Sequence, residues 1–253
     1  MTYVMSDIHG QYKAFLDILN KIKLSDNDSL YILGDIIDRG PKSLEIYNYI
    51  KDKHNIFLIK GNHEKMMLDY YKEINNLRNG DESTRIYTSK SYIMDLHYIW
   101  SRNGGGETER QIQELPEDEK TAFFTYIDNC PYYYDICVNN QKYLLCHSRP
   151  MLQGFTNLEE AMKVNIETEE ILWSRNFLEY PTPWGYHVIH GHTPVPSMLR
   201  RCHIDMEQRK LGNIITRYNK GEIFNIDCGC AGKYRLACLR LDDLKTFYSE
   251  NME

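Results

Sequence analysis

The sequence predicts an α/β fold, and two observations support this prediction. In the first third of the chain, short apolar runs alternate with longer stretches whose apolar residues recur at helical spacing. After Pro131 the pattern changes to a series of short, strand-like runs. Strand–helix–strand repetition favours parallel strands joined by right-handed crossovers, so we expect the first strands to lie side by side in a parallel sheet.

The first third is predicted to contain three strands, each followed by a helix. The strand-like runs are TYVMS, SLYIL and NIFLIK, and the helix-like stretches are QYKAFLDILNKI, PKSLEIYNYIKDK and HEKMMLDYYKEI. In the first of these helices the apolar residues fall on one helical face. Pro41 is expected at the first position of the second helix, where the missing N–H of proline costs little.

The rest of the chain divides into a polar helical insertion, at about 74–130, and a β-rich second half. The insertion contains a glycine-rich turn at Gly104 to Gly106. The later predicted strands are YYYDICV, KYLLCH, YHVIHGHT, EIFNIDCG, YRLACLRLD and TFYSE, with VNNQ as a hairpin turn between the first two. Residues 199–221, here called the basic arm, are expected to form a solvent-exposed hairpin. Because no linker or repeat interrupts the chain, residues 1–253 are predicted to form one domain.

Composition and charge argue against a nucleic-acid polymer or a membrane as a partner. The 253 residues carry a net charge of −6, from 36 acidic and 30 basic side chains, so the chain as a whole does not attract polyanions. No apolar run approaches the roughly 20 residues of a membrane-spanning helix, and the N-terminus lacks a secretory signal. Seven cysteines without a C-x-x-C pair indicate reduced thiols. We therefore expect a cytoplasmic protein, and nothing in the composition indicates an oligomeric state.

Metal-capable side chains follow five of the predicted strands, at the point where each strand ends. They are, in chain order, Asp7 and His9, Asp35, Asn62 and His63, His147, and His190 with His192. Ligands of open α/β sheets bind at this edge, and Asp, His and Asn together suit divalent metals of intermediate hardness. A single Asp at a strand end more often caps a helix. The combination of G-D-x-x-D-R-G with G-N-H-E specifies nine positions, however, and favours two metals bridged by Asp35.

These motifs resemble those of the phosphoprotein phosphatase family of calcineurin-like metallophosphoesterases. The matching pieces are SDIHG, GDIIDRG, GNHE, CH at 146–147 and GHT at 191–193. The runs GNHEKMMLD, WSRNGGGET, ILWSR and NIDCGCAGKYRLACLRL look most similar to the small phage and bacterial serine/threonine phosphatases. The resemblance therefore covers nearly the whole chain. It implies a two-sheet β-sandwich flanked by helices (αββα), with the metals at the strand ends.

The resemblance also implies a role for each matching residue. Asp7 and His9 would bind the first metal, Asp35 would bridge the two metals, and Asn62, His147 and His192 would complete the second site. His63, oriented by Asp38, would be the general acid. Arg39, Arg175 and Asn62 would bind phosphate oxygens. The two divalent ions are expected to be Mn, although the same ligands accept Fe, Zn, Co or Ni. They would lower the pKa of a bridging water, which attacks phosphorus in line.

The expected activity is hydrolysis of phosphate monoesters by a serine/threonine protein phosphatase, with phosphotyrosine as a further substrate. The partner would be a phosphorylated protein or a small phosphate ester. Pro194 stands where nuclease-type relatives with a G-H-x-H motif have a second histidine, which favours the phosphoprotein phosphatase branch. His190 is expected to be a core histidine with a satisfied partner.

The alternative activity is hydrolysis of dinucleoside polyphosphates such as diadenosine tetraphosphate. The basic arm and the tyrosines in and beside the insertion would then supply the nucleoside and phosphate contacts; these are Tyr70, Tyr71, Tyr87, Tyr92 and Tyr98. A scaffold that only binds phosphate ligands is disfavoured, because the chain retains every expected metal ligand, the acid and both arginines.

Overall fold

Two five-stranded sheets form the centre of the molecule in the computed structural model, which describes residues 1–79, 90–177, 180–201, 214–232 and 234–250. The strands are β1 (Thr2–Met5), β2 (Ser29–Ile32), β3 (Ile56–Leu58), β4 (Tyr133–Val138), β5 (Gln141–Cys146), β6 (Tyr186–His190), β7 (Thr216–Tyr218), β8 (Ile223–Asn225), β9 (Ala237–Arg240) and β10 (Thr246–Tyr248). The helices of the described residues are α1 (Tyr12–Ile22), α2 (Ser43–Ile50), α3 (Asn62–Asn79), α4 (Lys90–Arg102), α5 (Gly106–Glu114), α6 (Glu117–Asp128), α7 (Leu158–Glu167), α8 (Glu170–Trp173) and α9 (Val195–Arg201).

Each sheet has three parallel strands, with antiparallel strands at one edge of the first sheet and at both edges of the second. The first sheet has the order β10-β9-β1-β2-β3, in which β1, β2 and β3 are parallel and β9 runs antiparallel to both β1 and β10. The second has the order β4-β5-β6-β8-β7, in which β5, β6 and β8 are parallel. Strands β4 and β7 pair antiparallel at its two edges.

The alternation of side chains along the strands builds a four-layer αββα sandwich. Tyr3 and Met5 point from β1 into a core shared with α1, α2, α3 and α6. Val4, between them, packs into a second core, where Leu145 of β5 and Phe224 of β8 contribute from the other sheet. A third core lies between the second sheet and helices α7 and α8. The two-sheet, helix-flanked α/β fold expected from the sequence is confirmed.

Element boundaries match the sequence patterns with a few differences. Helix α2 begins at Ser43, so the expectation that Pro41 opens it is wrong; Pro41 lies in the preceding loop. The hairpin at 138–141 is confirmed, because Asn139 and Asn140 both have positive φ and Val138 pairs directly with Gln141. This φ combination matches the twist of the two strands that the turn joins.

Two further expectations concern segments that the structure describes in part. The insertion at about 74–130 begins within α3 and continues with α4, α5 and α6, and the basic arm begins as helix α9 and ends near β7. The central part of the arm, including Arg209 and Lys210, lies outside the described residues, as does Tyr87. The assignment of residues 1–253 to one domain stays a prediction. Within the described ranges, no helix is both long enough and apolar enough to cross a membrane.

Candidate active site

The carboxyl ends of the parallel strands of both sheets meet at one edge of the sandwich. Asp7 and His9 follow β1, Asp35 follows β2, Asn62 and His63 open α3 after β3, and His147 and His192 follow β5 and β6. All of these side chains, and that of Asp38, are buried, whereas Arg39 and Arg175 are exposed. The structure therefore brings the sequence-predicted site residues to one edge. Their roles are taken up under Proposed function.

The loops after β1 and β2 are joined by backbone hydrogen bonds that continue the sheet pairing. His9 N donates to Asp35 O at 2.9 Å, and Gly10 N donates to Ile36 O at 2.9 Å. The loop after β6 also approaches the loop after β1, so closely that no side chain fits at Gly191. A Cβ on Gly191 would lie 2.1 Å from Asp7 Oδ2. Only glycine lets the backbone approach the carboxylate this closely.

Backbone strain is concentrated at these loops. Six non-glycine residues of the site have left-handed backbone conformations, namely Asp7, His9, Asp35, Asp38, Arg39 and His192, with φ between 48° and 69°. Such conformations cost free energy and persist where the surrounding structure fixes them. Asp and His tolerate the left-handed region better than most residues, whereas for Arg39 it is less usual. The strain indicates that the loops are shaped by the site and not by local preference.

Glu64 fixes the loop that carries Asp35. Its carboxylate is fully buried and accepts three backbone N–H bonds, from Asp35 at 2.8 Å, Ile36 at 2.9 Å and Gly61 at 2.9 Å. Burial raises the pKa of Glu64, while the hydrogen bonds oppose this shift. The sequence motif G-N-H-E contains this residue, but its function as a clamp between the loops after β2 and β3 follows only from the structure.

Asp35 lies at the centre of the cluster. Its Oδ2 is 3.6 Å from His9 Nε2, 3.5 Å from His147 Nε2 and 3.9 Å from His63 Nε2. Among the described residues, two groups of ligand atoms close enough to share an ion can be drawn, His9 with Asp35 and His63, and Asp7 with Asp35 and His147. Both groups contain Asp35. Burial and the neighbouring carboxylates of Glu64 and Asp7 raise the pKa of Asp35 well above its usual range.

The second part of the cluster has the chemistry of a divalent cation site. His147 Nδ1 donates to Leu33 O at 2.7 Å, which turns the other ring nitrogen, Nε2, toward the cluster. Nε2 lies 2.8 Å from Asn62 Oδ1 and 3.5 Å from Asp35 Oδ2. His192 Nδ1 approaches the same Asn62 oxygen at 2.9 Å. Two imidazole nitrogens, an amide oxygen and a carboxylate oxygen thus converge on one point, and this mixture of nitrogen and oxygen donors fits a divalent metal.

Asp38 holds His63, and Trp100 contacts the same carboxylate of Asp38. His63 Nδ1 is 2.7 Å from Asp38 Oδ2, and Trp100 Nε1 donates to the same oxygen at 2.8 Å. All three side chains are buried. Desolvation raises the pKa of Asp38 to about 7, against the hydrogen bonds from Thr108 and Trp100. Desolvation, with Arg39 and His147 nearby, lowers the pKa of His63 well below its usual value.

Arg39 connects the two halves of the cluster. Its guanidinium places Nη1 2.9 Å from His9 Nε2 and Nη2 2.9 Å from His63 Nε2. Residues of the insertion hold the backbone and the Nε of Arg39. Arg39 N donates to Gly104 O at 3.0 Å, and Nε donates to Asn103 O at 3.3 Å. Arg175, after α8, donates to Thr193 Oγ1 at 3.1 Å, one residue from His192. Both arginines are thus on the open side of the cluster.

The sequence analysis missed Trp100 and Asp227 as residues of the site. Asp227 follows β8, the third parallel strand of the second sheet, and is buried; Asp7 and burial raise its pKa well above its usual range, with burial the larger cause. The strand-like run EIFNIDCG ends with this carboxylate, so the strand-end signal was present. His190, by contrast, is a buried histidine with Nε2 2.7 Å from the hydroxyl of Tyr218, as expected for a satisfied core residue.

The fold and the cluster together define a metallophosphoesterase. The model of the family described as calcineurin-like phosphoesterase matches residues 2–224, which is most of the chain. The chain belongs to this family, and its clustered carboxylates and histidines are consistent with the divalent metals that such an enzyme uses.

Individual relatives are similar over shorter stretches. A symmetrical bis(5′-nucleosyl)-tetraphosphatase from Wigglesworthia glossinidia brevipalpis is 42% identical over 86 residues, which are 33% of this chain and 32% of the relative. The match thus spans about a third of that relative's length, and other matching relatives carry the same name.

Solved structures confirm the fold alone. A protein provisionally named as a diadenosine tetraphosphatase superposes with a TM-score of 0.56 at 16% identity, over 98% of this chain and 91% of that one. A cold-active protein-tyrosine phosphatase from a psychrophilic Shewanella species superposes with a TM-score of 0.51 at 16% identity, over 98% and 80% of the two chains. The same fold therefore accompanies two different activities, and the fold does not distinguish them.

Proposed function

We propose that the chain hydrolyses dinucleoside polyphosphates, with diadenosine tetraphosphate as the model substrate and cleavage in the middle of the polyphosphate. The observation that carries the proposal is the similarity to relatives named symmetrical bis(5′-nucleosyl)-tetraphosphatases. The residues of the cluster suit either this reaction or monoester hydrolysis, so the relatives favour what was the alternative in the sequence analysis over the protein phosphatase that was expected first.

In this proposal the side chains at the strand ends would hold two divalent ions. Asp7 and His9 would hold one, Asn62, His147 and His192 would hold the other, and Asp35 would contact both, in accordance with its presence in both candidate groups. The candidate groups differ from this assignment in pairing Asp7 with His147 and His9 with His63. When bound, the ions supply positive charge for the phosphate and a water of lowered pKa. Manganese is the proposed metal. The convergence of His147 Nε2, Asn62 Oδ1 and Asp35 Oδ2 supports the second position most directly.

Arg39 and Arg175 orient the phosphate in this mechanism. A guanidinium presents a planar fork that matches two phosphate oxygens. Arg39 directs its two terminal nitrogens at the imidazoles of His9 and His63. In the proposal, the phosphate lies between this fork and the two imidazoles. Asn62 is proposed to contact the phosphate as well. The polyphosphate therefore lies along the exposed side of the cluster.

His63 is proposed to carry the proton. Hydrolysis forms a bond between a water oxygen and phosphorus and breaks the bond from phosphorus to the bridging oxygen, which leaves as part of a nucleoside diphosphate. Since Nδ1 of His63 is bonded to Asp38, Nε2 is the atom that gives a proton to the departing oxygen. Asp38 keeps the ring in this orientation.

A serine/threonine protein phosphatase is the second candidate, and the Asp38–His63 pair favours it. The leaving group of a phosphoserine is an alkoxide, a much stronger base than a diphosphate oxygen, and general acid catalysis matters most for such leaving groups. A buried acid pair with a 2.7 Å contact is the apparatus that a phosphomonoesterase needs. The same chemistry extends to phosphotyrosine and to small phosphate monoesters.

Parallel assays of the Mn-supplemented protein decide between the two candidates. Diadenosine tetraphosphate, a phosphoserine peptide and p-nitrophenyl phosphate are compared by kcat/KM, and nucleotide products are separated by ion-exchange chromatography. We expect the dinucleotide to be cleaved to two ADP, at a kcat/KM at least a hundredfold above that of the peptide. Faster release of phosphate from the peptide would establish the second candidate.

A further inference from the structure

A cavity of about 230 Å³ opens directly beside the cluster. His9 and Arg39 form its inner end. Its other walls come from the start of α9, including Pro196, and from the loop after β8, including Asp227 and Tyr234. The cavity is continuous with the proposed phosphate position, so a group attached to that phosphate can extend into it. Its volume is below the roughly 300–1,000 Å³ of sites that bind whole drug-sized ligands, so it suits one part of a substrate.

The charges of the described wall residues disfavour a phosphate in the outer part of the cavity. Among the lining residues that the structure describes, Arg39 is the one arginine or lysine, and it lies at the inner end with the cluster. The outer walls instead hold the carboxyl group of Asp227 among glycine, alanine and proline residues. Phosphate groups require cationic or N–H partners and are repelled by a carboxylate. The outer part of the cavity therefore selects an uncharged group that carries hydroxyls.

Asp227 is placed to receive such hydroxyls. Its side chain is held by one bond, in which Gly229 N donates to Oδ1 at 2.8 Å, and it is almost completely buried. A carboxylate at the end of a strand is the usual partner of ribose hydroxyls in nucleotide-binding α/β proteins. A phosphate or a simple anion has no pair of alcohol hydroxyls like those of ribose, so neither would make these bonds to Asp227.

Tyr234 supplies a flat aromatic surface at the outer end. The side chain is 42% exposed. Its ring packs on Gly229, where an added Cβ would lie 2.9 Å from Tyr234 Cδ2, and its backbone N donates to Gly229 O at 3.3 Å. The absence of a side chain at Gly229, which has a φ of +80°, thus sets the position of the ring. An exposed and positioned aromatic ring is a platform for stacking a nucleobase.

We propose that this cavity is the nucleoside subsite, in which Asp227 binds the ribose hydroxyls and Tyr234 contacts the base of the nucleotide whose terminal phosphate lies at Arg39, with the second phosphate between Arg39 and the ribose. The inference deepens the proposed function and rests on it for the identity of the natural substrate. It replaces the tyrosines in and beside the insertion as the source of nucleoside contacts. Tyr70 and Tyr71 pack around Trp100 at ring distances of 5.8 and 5.9 Å and belong to the helical core.

The experiment measures what the nucleoside adds to binding. Isothermal titration calorimetry on the Mn-loaded full chain gives the Kd of ADP and of inorganic pyrophosphate at equal free Mn. The wild-type protein is expected to bind ADP at least tenfold more tightly than pyrophosphate. Tyr234→Ala should reduce this preference about tenfold, as expected for the loss of one stacked base, and Tyr234→Phe should retain it. The ribose contact predicts that 2′,3′-dideoxy-ADP binds several-fold more weakly than ADP.

A control variant separates the subsite from general effects. Tyr92→Ala removes a tyrosine of similar exposure on α4 that does not line the cavity, and it should leave the ADP preference as in the wild type. Thermal unfolding establishes that each variant is folded. Equal Kd values for ADP and pyrophosphate in the wild type, or the same preference in Tyr234→Ala as in the wild type, would overturn the proposal.

The binding experiment is independent of turnover, so its failure differs from failure of the proposed function. If diadenosine tetraphosphate is cleaved to ADP and the Tyr234 variants show no effect, the function stands and the subsite is wrong. If the dinucleotide is not cleaved but the ADP preference depends on Tyr234, the cavity binds nucleosides and the proposed reaction is wrong.

Discussion

Trp100 donates its indole N–H to Asp38 at 2.8 Å, although 62 residues separate the two along the chain. The bond ends on the same carboxylate oxygen that contacts His63 Nδ1. Two donors on one oxygen leave the carboxylate a single orientation, and the indole is itself packed by Tyr70 and Tyr71. The helical insertion therefore reaches the proposed acid pair through one buried side chain.

Trp100→Phe should lower kcat about tenfold while changing KM little. Phenylalanine retains most of the ring packing but removes the N–H, and the loss of one hydrogen bond of about 1.5 kcal/mol corresponds to about a tenfold change in rate. Steady-state kinetics with a phosphoserine peptide and with p-nitrophenyl phosphate measure the effect, which should be larger for the peptide because its leaving oxygen is more basic. Trp184→Phe, outside the cluster, is the matched control. Equal losses for both substrates would indicate a merely structural tryptophan.

His63→Asn should reduce turnover in proportion to the basicity of the leaving group. We expect a loss of roughly 10²–10⁴-fold for a phosphoserine peptide, the usual contribution of a general acid, and a smaller loss for diadenosine tetraphosphate. Elemental analysis should find the metal content unchanged, because His63 is proposed as the acid and not as a ligand. Undiminished turnover of the peptide would refute the acid role, and loss of metal would make His63 a ligand.

Arg175→Ala should raise KM for phosphate esters about tenfold, with a smaller effect of Arg175→Lys. The guanidinium is exposed and lies one residue from His192 through its bond to Thr193, so it is available to phosphate but contributes little to the core. Lysine retains the charge without the planar fork. Kinetics and thermal unfolding are measured together. A lower Tm with an unchanged KM would identify Arg175 as a structural residue.

Chelation should destabilise the protein, and added Mn should restore it. A ligand at a hundredfold excess over its Kd stabilises the folded state by about 2.7 kcal/mol, which for a chain of this size corresponds to a Tm shift of about 5–10 °C. Differential scanning calorimetry with and without chelator measures the shift. Asp35→Asn should abolish it, because Asp35 belongs to both ligand groups, whereas the exposed Asp26→Asn should not. A metal-dependent Tm that survives in Asp35→Asn would contradict a central role for this carboxylate.

Glu64→Gln should reduce the free energy of unfolding by about 3 kcal/mol. Both carboxylate oxygens accept backbone N–H bonds, so an amide NH₂ at either position faces donors and leaves them unsatisfied. Urea unfolding of the chelated protein isolates this effect from metal binding. Glu117→Gln, at an exposed position on α6, should change the stability by less than about 0.5 kcal/mol. Similar stability of the two variants would show that the loops after β2 and β3 do not depend on the clamp.

The strands and most of the cluster could be predicted from the sequence because both depend on local patterns. Apolar runs locate β1, β2 and β3, and the polar residues that end them lie where parallel strands must deliver them. For Asp7, His9, Asp35 and Asn62 the expected positions match the observed ones. The unpredicted strand, β7, has three residues and too little pattern to distinguish it from a turn. Helices α7, α8 and α9 were not predicted either, because the second half was interpreted as strands throughout.

The site residues that were not predicted from the sequence depend on contacts between distant segments. Nothing in the run KSYIMDLHYIWSR distinguishes a tryptophan that packs in the insertion from one that also donates to Asp38. Asp227 ends a predicted strand, yet its relevance follows only from β8 lying next to β6 in the second sheet. The position of Gly229 under the ring of Tyr234 is likewise a tertiary contact, and it cannot be inferred from residue spacing.

The pairing of β9 with β1 has a consequence for how the polypeptide is made. Strand β1 is synthesised before the other nine strands, yet one of its two hydrogen-bonding sides is covered by residues 237–240, which follow much later in the chain. Until those residues leave the ribosome, the nascent chain presents an unpaired, apolar strand that other chains can add to. Truncation before Ala237 should therefore yield insoluble protein even though it spares every proposed metal ligand. Co-expression of a chaperone that shields exposed strands should improve recovery of such fragments more than that of the full chain.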